Sequence, residues 1–137
     1  MEMEQIKWVP NRMPKSDDKW LEVMSLENVA KARAFHSSFP QYSVTPLANL
    51  KRMATYMGLG GIYVKDESYR FGLNAFKVLG GSFAMARYIA QKTGKDVSEM
   101  TYDYLTSEQL RKEFGQATFF TATDGNHGRG VAWAANK

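Results

Sequence analysis

The sequence contains no cysteine and only two histidines, His36 and His127, among its 137 residues. The missing thiols exclude disulfide bonds and thiolate nucleophiles, and they are typical of a cytoplasmic protein. Two histidines without cysteine cannot supply a histidine and cysteine metal cluster, so we expect no metal site.

Long hydrophobic runs are absent as well. No apolar run approaches the roughly 18 residues that cross a membrane. The N-terminal residues 1–4 are acidic, unlike a signal peptide. Low-complexity segments and internal repeats are also missing. The length suits one domain with a modest core, and we expect no membrane partner.

The net charge of +4 does not by itself indicate nucleic-acid binding. Basic residues are interleaved with acidic ones, as at residues 17–19 and 111–113. A protein that follows a phosphate backbone has its lysines and arginines clustered on one face. We therefore interpret these charges as a solvated surface and expect no nucleic-acid partner.

Helical patterns alternate with short apolar runs along the chain. Helices are predicted over 26–36 with Ser25 as cap, from Thr45–Pro46 to Gly58, from Asn74 to Gly94, from a Thr106–Gln109 capping box to Gly115, and from 131 onward; strands are predicted over 62–66 and 117–122. This alternation predicts an α/β fold with a parallel sheet. The last helix stops without a cap, so we expect the N-terminal part of a longer protein.

One lysine differs from the other basic residues in its surroundings. Lys77 follows Asn74, so it is expected about three residues into a helix. The positive end of the helix dipole and apolar neighbours such as Phe76 favour the neutral, nucleophilic amine. Each glycine costs a helix about 1 kcal/mol, so Gly80 and Gly81 indicate a close approach of a backbone or a ring. The alternative is a surface lysine, against which the two glycines argue.

A glycine-rich loop, residues 125–130, follows the second predicted strand. Open α/β sheets bind ligands at this position. The glycine spacing is the reverse of the dinucleotide fingerprint, and no P-loop lysine follows it. Asp124 is a candidate proton carrier, and the amide of Asn126 can donate to an oxygen of a bound ring. His127 is expected to shape the loop through hydrogen bonds.

Four signals occur in one order along the chain: Thr45–Leu47, Val64–Glu67, the lysine segment at Lys77 and the glycine loop. In this combination the sequence resembles the fold-type II pyridoxal-phosphate enzymes, which include threonine dehydratase, threonine synthase and cysteine synthase. The resemblance covers roughly residues 44–137. It implies a fold-type II α/β architecture, incomplete in this chain, and pyridoxal 5'-phosphate as cofactor.

Two positions depart from the dehydratase pattern. Ala75 precedes Phe76–Lys77 where dehydratases usually have serine, and Thr123–Asp124 precedes Gly125 where they usually have Ser-Ala. With these changes, residues 74–81 and 123–133 are similar to those of the diaminopropionate ammonia-lyases. The resemblance implies a homodimeric carbon–nitrogen lyase that performs α,β-elimination on 2,3-diaminopropionate to give pyruvate and ammonia.

The same resemblance implies a role for each site residue. Lys77 would hold the cofactor covalently and, once the substrate has displaced it, act as the base at the α-carbon. Asp124 would act as an acid or base, or pair with the β-ammonium group of the substrate. Gly125, Asn126 and His127 would bind the cofactor, with Asn126 contacting its phenolic oxygen.

Other parts of the cofactor site are expected beyond Lys137. These are the glycine-rich phosphate cup and the group that contacts the pyridine nitrogen, so we expect the chain alone to be inactive. Residues 1–90 are assigned to the larger cofactor domain and 91–137 to the start of the smaller domain.

Two other functions stay open. One is a threonine or serine dehydratase of the same fold, against which the carboxylate of Asp124 argues. The other is a non-catalytic ligand-binding domain, against which the presence of both Lys77 and Asn126 argues.

Overall fold

The computed structural model describes residues 9, 10, 12, 18–123 and 125–137. Within these residues the α-helices and strands follow in this order: α1 (Leu26–Ser37), β1 (Leu47–Asn49), α2 (Lys51–Tyr56), β2 (Tyr63–Lys65), α3 (Lys77–Thr93), α4 (Tyr102–Leu105), α5 (Glu108–Phe114) and α6 (Asn126–Ala135). Short 3-10 helices cover Asp18–Met24, Glu67–Gly72 and Val97–Glu99. None of the helices described here combines the length and the apolar character that a membrane span requires.

Helix boundaries with a local cap were predicted correctly in three places. The hydroxyl of Ser25 accepts from the backbone N–H of Asn28 at 3.3 Å and begins α1. Gly94 ends α3 with a left-handed φ of 67°, which a side chain would disfavour. Gly115 follows the last residue of α5. These boundaries depend on neighbours within a few residues, so the sequence is sufficient to place them.

The helix predicted from Thr45–Pro46 is wrong in its first part. Residues Leu47–Asn49 form β1, which pairs antiparallel with β2 and places Leu47 opposite Lys65. The hydroxyl of Thr45 donates to the Glu67 carboxylate at 2.6 Å instead of capping a helix. A partner distant in the sequence therefore overrides the local cap signal, and α2 begins only at Lys51.

Asn74 does not cap α3. Its φ of 56° lies in the left-handed region, and Phe76 is the residue that precedes the helix. As a consequence, Lys77 is the first residue of α3 and not the third. Left-handed backbone at a non-glycine residue requires support from its surroundings.

Two more predicted helix starts are wrong, by one residue for α5 and by five for α6. The cap of α5 is Ser107, whose hydroxyl accepts from the N–H of Leu110 at 3.1 Å. Thr106 instead donates to the carbonyl of Tyr102 at 3.0 Å. Helix α6 begins at Asn126, five residues before the predicted position 131, so most of the glycine-rich loop is helical.

The predicted parallel sheet is not formed by the described residues. The sheet that they contain is the antiparallel pair of β1 and β2. Residues 117–122 were predicted as a buried strand, but they form neither helix nor strand, and Phe120 is 91% exposed. A strand requires a hydrogen-bonding partner, and these residues find none in the described part of the chain.

The core joins α1, α3 and the segment before α3. It is centred on buried apolar side chains: Phe35, Phe39, Phe71, Val78, Ala86, Ala90 and Met100. Trp133 of α6 packs at its edge, with its ring centroid 5.1 Å from that of Phe71 and 5.9 Å from that of Phe39. The core therefore holds the segment that leads to Lys77 against α6.

Candidate active site

Lys77 lies at the start of α3 with an exposed side chain. Its Nζ is 5.5 Å from the centroid of the Phe76 ring, and Phe76 is itself 55% exposed. Val78, the next residue, is only 1% exposed. The backbone at Lys77 is therefore fixed by the core, while the dry setting expected around the amine is not formed by the described residues.

The glycine loop is shaped by Thr123. Its hydroxyl oxygen accepts from the N–H of Gly125 at 3.0 Å and from that of Gly128 at 2.6 Å. Gly125 has a φ of 119°, which favours glycine. A Cβ on Gly128 would lie 2.7 Å from a methyl carbon of Thr123. The hydroxyl of Thr123 therefore holds the backbone of this turn, a role that was not predicted from the sequence.

The other predicted residues of the loop have different positions. Asn126 is the first residue of α6 and is exposed, whereas His127 is half-buried. Within the described residues the His127 ring makes no hydrogen bond, so Thr123 performs the shaping that was expected of His127. Asp124 lies outside the described residues.

Helix α6 approaches the start of α3 very closely at Gly130. A Cβ on Gly130 would lie 2.8 Å from both the N and the Cα of Val78, and 3.1 Å from the carbonyl carbon of Lys77. Asn126 lies four residues earlier on the same face of α6, about 6 Å along the helix axis. Gly130 therefore fixes α6 against the backbone at the start of α3, one helical turn after Asn126.

The glycines after Lys77 differ from each other in what they contact. A Cβ on Gly81 would lie 3.3 Å from a methyl of Val131, so this glycine permits close helix packing, as predicted. A Cβ on Gly80 would meet nothing within 4 Å. The close approach inferred from the pair therefore holds for Gly81 alone.

A cavity of about 390 Å³ lies between α3 and residues 117–121. His127 and Val131 of α6 line it, together with Gly81, Met85 and Tyr88 of α3. Lys77 and Asn126 do not line this cavity. Of the predicted site residues that the structure describes, His127 lines this cavity.

A charged network anchors the segment that leads to Lys77. Arg70 donates to both oxygens of Glu67, at 2.8 and 2.9 Å, and to the carbonyl of Ser43 at 3.0 Å. Thr45 donates to the same carboxylate. The Arg70 guanidinium, helped by the Thr45 hydroxyl, lowers the pKa of Glu67 below its ordinary value. The network ties the residues before the first strand to the lysine segment.

His36 of α1 contacts the first turns of α3. Its Nε2 lies 2.9 Å from the carbonyl oxygen of Leu79 and 3.4 Å from the hydroxyl of Ser82. Burial lowers the pKa of His36, against the hydrogen bond to Leu79. The ring is therefore a buried structural partner of the first turn after Lys77. This role was not predicted from the sequence.

The residues present fit pyridoxal phosphate. Attachment of its aldehyde requires a primary amine that can be reached, and the amine of Lys77 is exposed. A Cβ on Gly125 would meet no atom within 4 Å, so the space beside this residue is open. The exposed amide of Asn126 can donate a hydrogen bond to an oxygen on the ring. The N-terminus of α6 favours an anionic ligand.

Comparison with known proteins points to the same cofactor. A family profile described as "Pyridoxal-phosphate dependent enzyme" matches residues 39–137. The chain is 51% identical over 104 residues to diaminopropionate ammonia-lyase of Salmonella typhimurium, an alignment that covers 76% of this chain and 26% of that protein. The chain thus spans about a quarter of the length of the curated relatives it matches.

Solved structures of the Escherichia coli diaminopropionate ammonia lyase are similar in fold. The apo form aligns with a TM-score of 0.74 and 45% identity, over 82% of this chain and 30% of that chain. A complex with an aminoacrylate-PLP azomethine reaction intermediate aligns with a TM-score of 0.70 and 43% identity, over 82% and 27%. These matches confirm the family resemblance that the lysine segment and the glycine loop indicated. Because the profile match extends over more than half of its residues, the chain belongs to the family of pyridoxal-phosphate dependent enzymes.

Proposed function

We propose that this chain is part of a pyridoxal-phosphate-dependent lyase that eliminates ammonia from 2,3-diaminopropionate and yields pyruvate. One observation supports the proposal most directly: Gly130 of α6 packs on the backbone of Lys77 and Val78, so the helix that begins with Asn126 contacts the start of the helix that begins with the exposed Lys77. The relatives at 51% and 48% identity bear the name of this activity. The carboxylate of Asp124 suits a substrate that carries a second ammonium group.

Each site residue has a defined task in this proposal. Lys77 would hold the cofactor and then accept the proton from the α-carbon of the substrate. Asn126 would donate a hydrogen bond to the phenolic oxygen, Gly125 and His127 would also bind the cofactor, and Asp124 would act as acid or base towards the substrate. The cofactor, when bound, supplies the electron sink that stabilises the carbanion formed at the α-carbon.

The finer architecture is part of the same proposal. We infer that residues 117–122 form a strand of a parallel sheet when the remainder of the protein is present, because they are rich in apolar side chains, expose Phe120 and have no strand partner in the described part of the chain. The division into a cofactor domain (1–90) and the start of a smaller domain (91–137) stays a prediction. Homodimer assembly and a cytoplasmic location stay predictions too.

The test uses the full-length protein with added pyridoxal phosphate. We expect an absorbance band near the edge of the visible range and release of ammonia from 2,3-diaminopropionate in preference to threonine or serine. Lys77→Ala should abolish the band. Lys92→Ala is the matched control, because Lys92 is also on α3 and its Nζ also lies over an aromatic ring, 5.6 Å from that of Tyr88.

Two results would contradict the proposal. Turnover of threonine without turnover of 2,3-diaminopropionate would assign the chain to a dehydratase. Absence of the band in the unmodified protein would favour a ligand-binding domain without catalysis.

A further inference from the structure

Gly130 makes a contact that no other residue type could make. The atoms that a Cβ would meet at 2.8 Å belong to the backbone of Val78, and an ordinary van der Waals contact is 3.4–4 Å. A flexible side chain could turn away, but the backbone of a helix cannot. An alanine at this position must therefore separate α6 from the start of α3 by several tenths of an ångström.

The same face of α6 holds the lysine segment at a second point. Trp133 lies three residues after Gly130, and its ring packs on that of Phe71 at 5.1 Å between centroids. Phe71 has a left-handed φ of 50°, which a phenylalanine adopts only when its surroundings hold it. The segment from Phe71 to Lys77 is thus fixed by α6 at both of its ends.

This face of α6 also carries Asn126, the residue proposed to bind the cofactor. Asn126, Gly130 and Trp133 follow at spacings of four and three residues, so they lie along one side of α6. Any shift of α6 relative to α3 changes the distance from Asn126 to Lys77. A misplacement of about 1 Å can reduce the rate of a positioned reaction about 100-fold.

We propose that Gly130 is a positioning residue: its missing side chain seats α6 on the peptide between Lys77 and Val78 and so sets the lysine beside Asn126. This inference rests on the proposed cofactor role of Lys77. Gly130 itself contacts neither cofactor nor substrate in this proposal and acts only through the placement of the two helices.

The experiment compares Gly130→Ala with Gly80→Ala in the full-length protein. The control suits the purpose because Gly80 is a helical glycine of α3 with no atom near its Cβ position. The measurements are the rate at which pyridoxal phosphate attaches to Lys77, trapped by borohydride and located by mass spectrometry, and the pH midpoint of the cofactor absorbance. Both are taken well below the melting temperature.

We expect Gly130→Ala to lower the attachment rate at least tenfold and to shift the pH midpoint, while Gly80→Ala matches the unmodified protein. Should Gly130→Ala fail to fold, Trp133→Leu replaces it and should change both measurements in the same direction. Folded variants whose rate and midpoint equal those of Gly80→Ala would overturn the inference. An unmodified protein that traps no cofactor at Lys77 would overturn the proposed function and this inference together.

Discussion

Glu67 is the residue on which the anchoring of the lysine segment depends. It is half-buried, it receives two hydrogen bonds from Arg70 and one from Thr45, and Arg70 is only 8% exposed. Removal of its charge leaves a buried guanidinium without its partner. We expect Glu67→Gln to lower the free energy of unfolding at pH 7 by about 2 kcal/mol.

The pH dependence of this effect has a defined sign. The pKa of Glu67 is lowered from 4.5, first by the hydrogen bond from Arg70. The stabilisation is therefore complete above pH 4.5 and is lost as the pH falls through the lower, folded value. Urea unfolding from pH 7 downward should show the two proteins converging in acid. Glu22→Gln is the control, because Glu22 forms no ion pair in the described residues. Parallel curves at all pH values would contradict the assignment.

Asp124 has a prediction that rests on its chemistry. A carboxylate opposite Lys77 would serve the enantiomer whose α-hydrogen points away from the lysine. We expect Asp124→Asn to lower kcat for one enantiomer of 2,3-diaminopropionate about 100-fold and to spare the other, with ammonia release as the measurement. Equal rates for both enantiomers, unchanged from the unmodified protein, would remove the role.

The sequence predicts roles for some residues of the candidate site and misses others for a physical reason. Lys77 and Asn126 were predicted because their neighbours in the chain carry the signal, and their roles stay predictions. The pairing of Arg70 with Glu67, three residues away, was not predicted, and the contact of Arg70 with Ser43, 27 residues away, forms only on folding. The role of Thr123 was also missed, although the glycines that it contacts lie within five residues of it.

Among the helices, adjacent hydroxyl residues before α5 allow a direct comparison of caps. Ser107 accepts from the helix N–H of Leu110, whereas Thr106 donates to a carbonyl of the preceding turn. Loss of an N-cap hydroxyl destabilises a protein by about 1 kcal/mol. We expect Ser107→Ala to show this loss and Thr106→Ala to remain within about 0.5 kcal/mol of the unmodified chain. Thermal unfolding followed by circular dichroism measures both, and a larger effect at Thr106 would contradict the capping geometry.

Two of the misplaced elements, β1 and α3, show where local sequence patterns fail. The strand β1 forms because β2 pairs with it. The Thr45–Pro46 signal predicts a helix at this place only when the pairing with β2 is ignored. Likewise, the left-handed Asn74 delays α3 until Lys77. Hydrophobic periodicity is a property of one segment of the sequence. Strand pairing, by contrast, depends on contacts between segments.

At the scale of the whole molecule, the α/β class was inferred from the alternation of helical patterns with short apolar runs. The described residues form the helices but not the parallel sheet. Helices form and pack around Phe35, Phe71 and Val78 within this chain. Residues 117–122 remain unpaired within the described part, and large apolar side chains such as Phe120 are exposed. The helices can pack because the apolar faces that they bury are all present in this chain. A parallel sheet requires strands that the described residues do not contain.

Amide hydrogen exchange can test this view of the fold. In the 137-residue chain by itself, we expect amides of residues 117–122 to exchange at rates close to those of an unfolded peptide, because none of them donates a backbone hydrogen bond in the described structure. Amides within α3 are the internal control and should exchange slowly, since Ala86 and Ala90 are almost fully buried. In the full-length protein the same six residues should become protected, because partner strands on both sides would accept their N–H groups. Fast exchange in both proteins would exclude the strand and, with it, the proposed sheet.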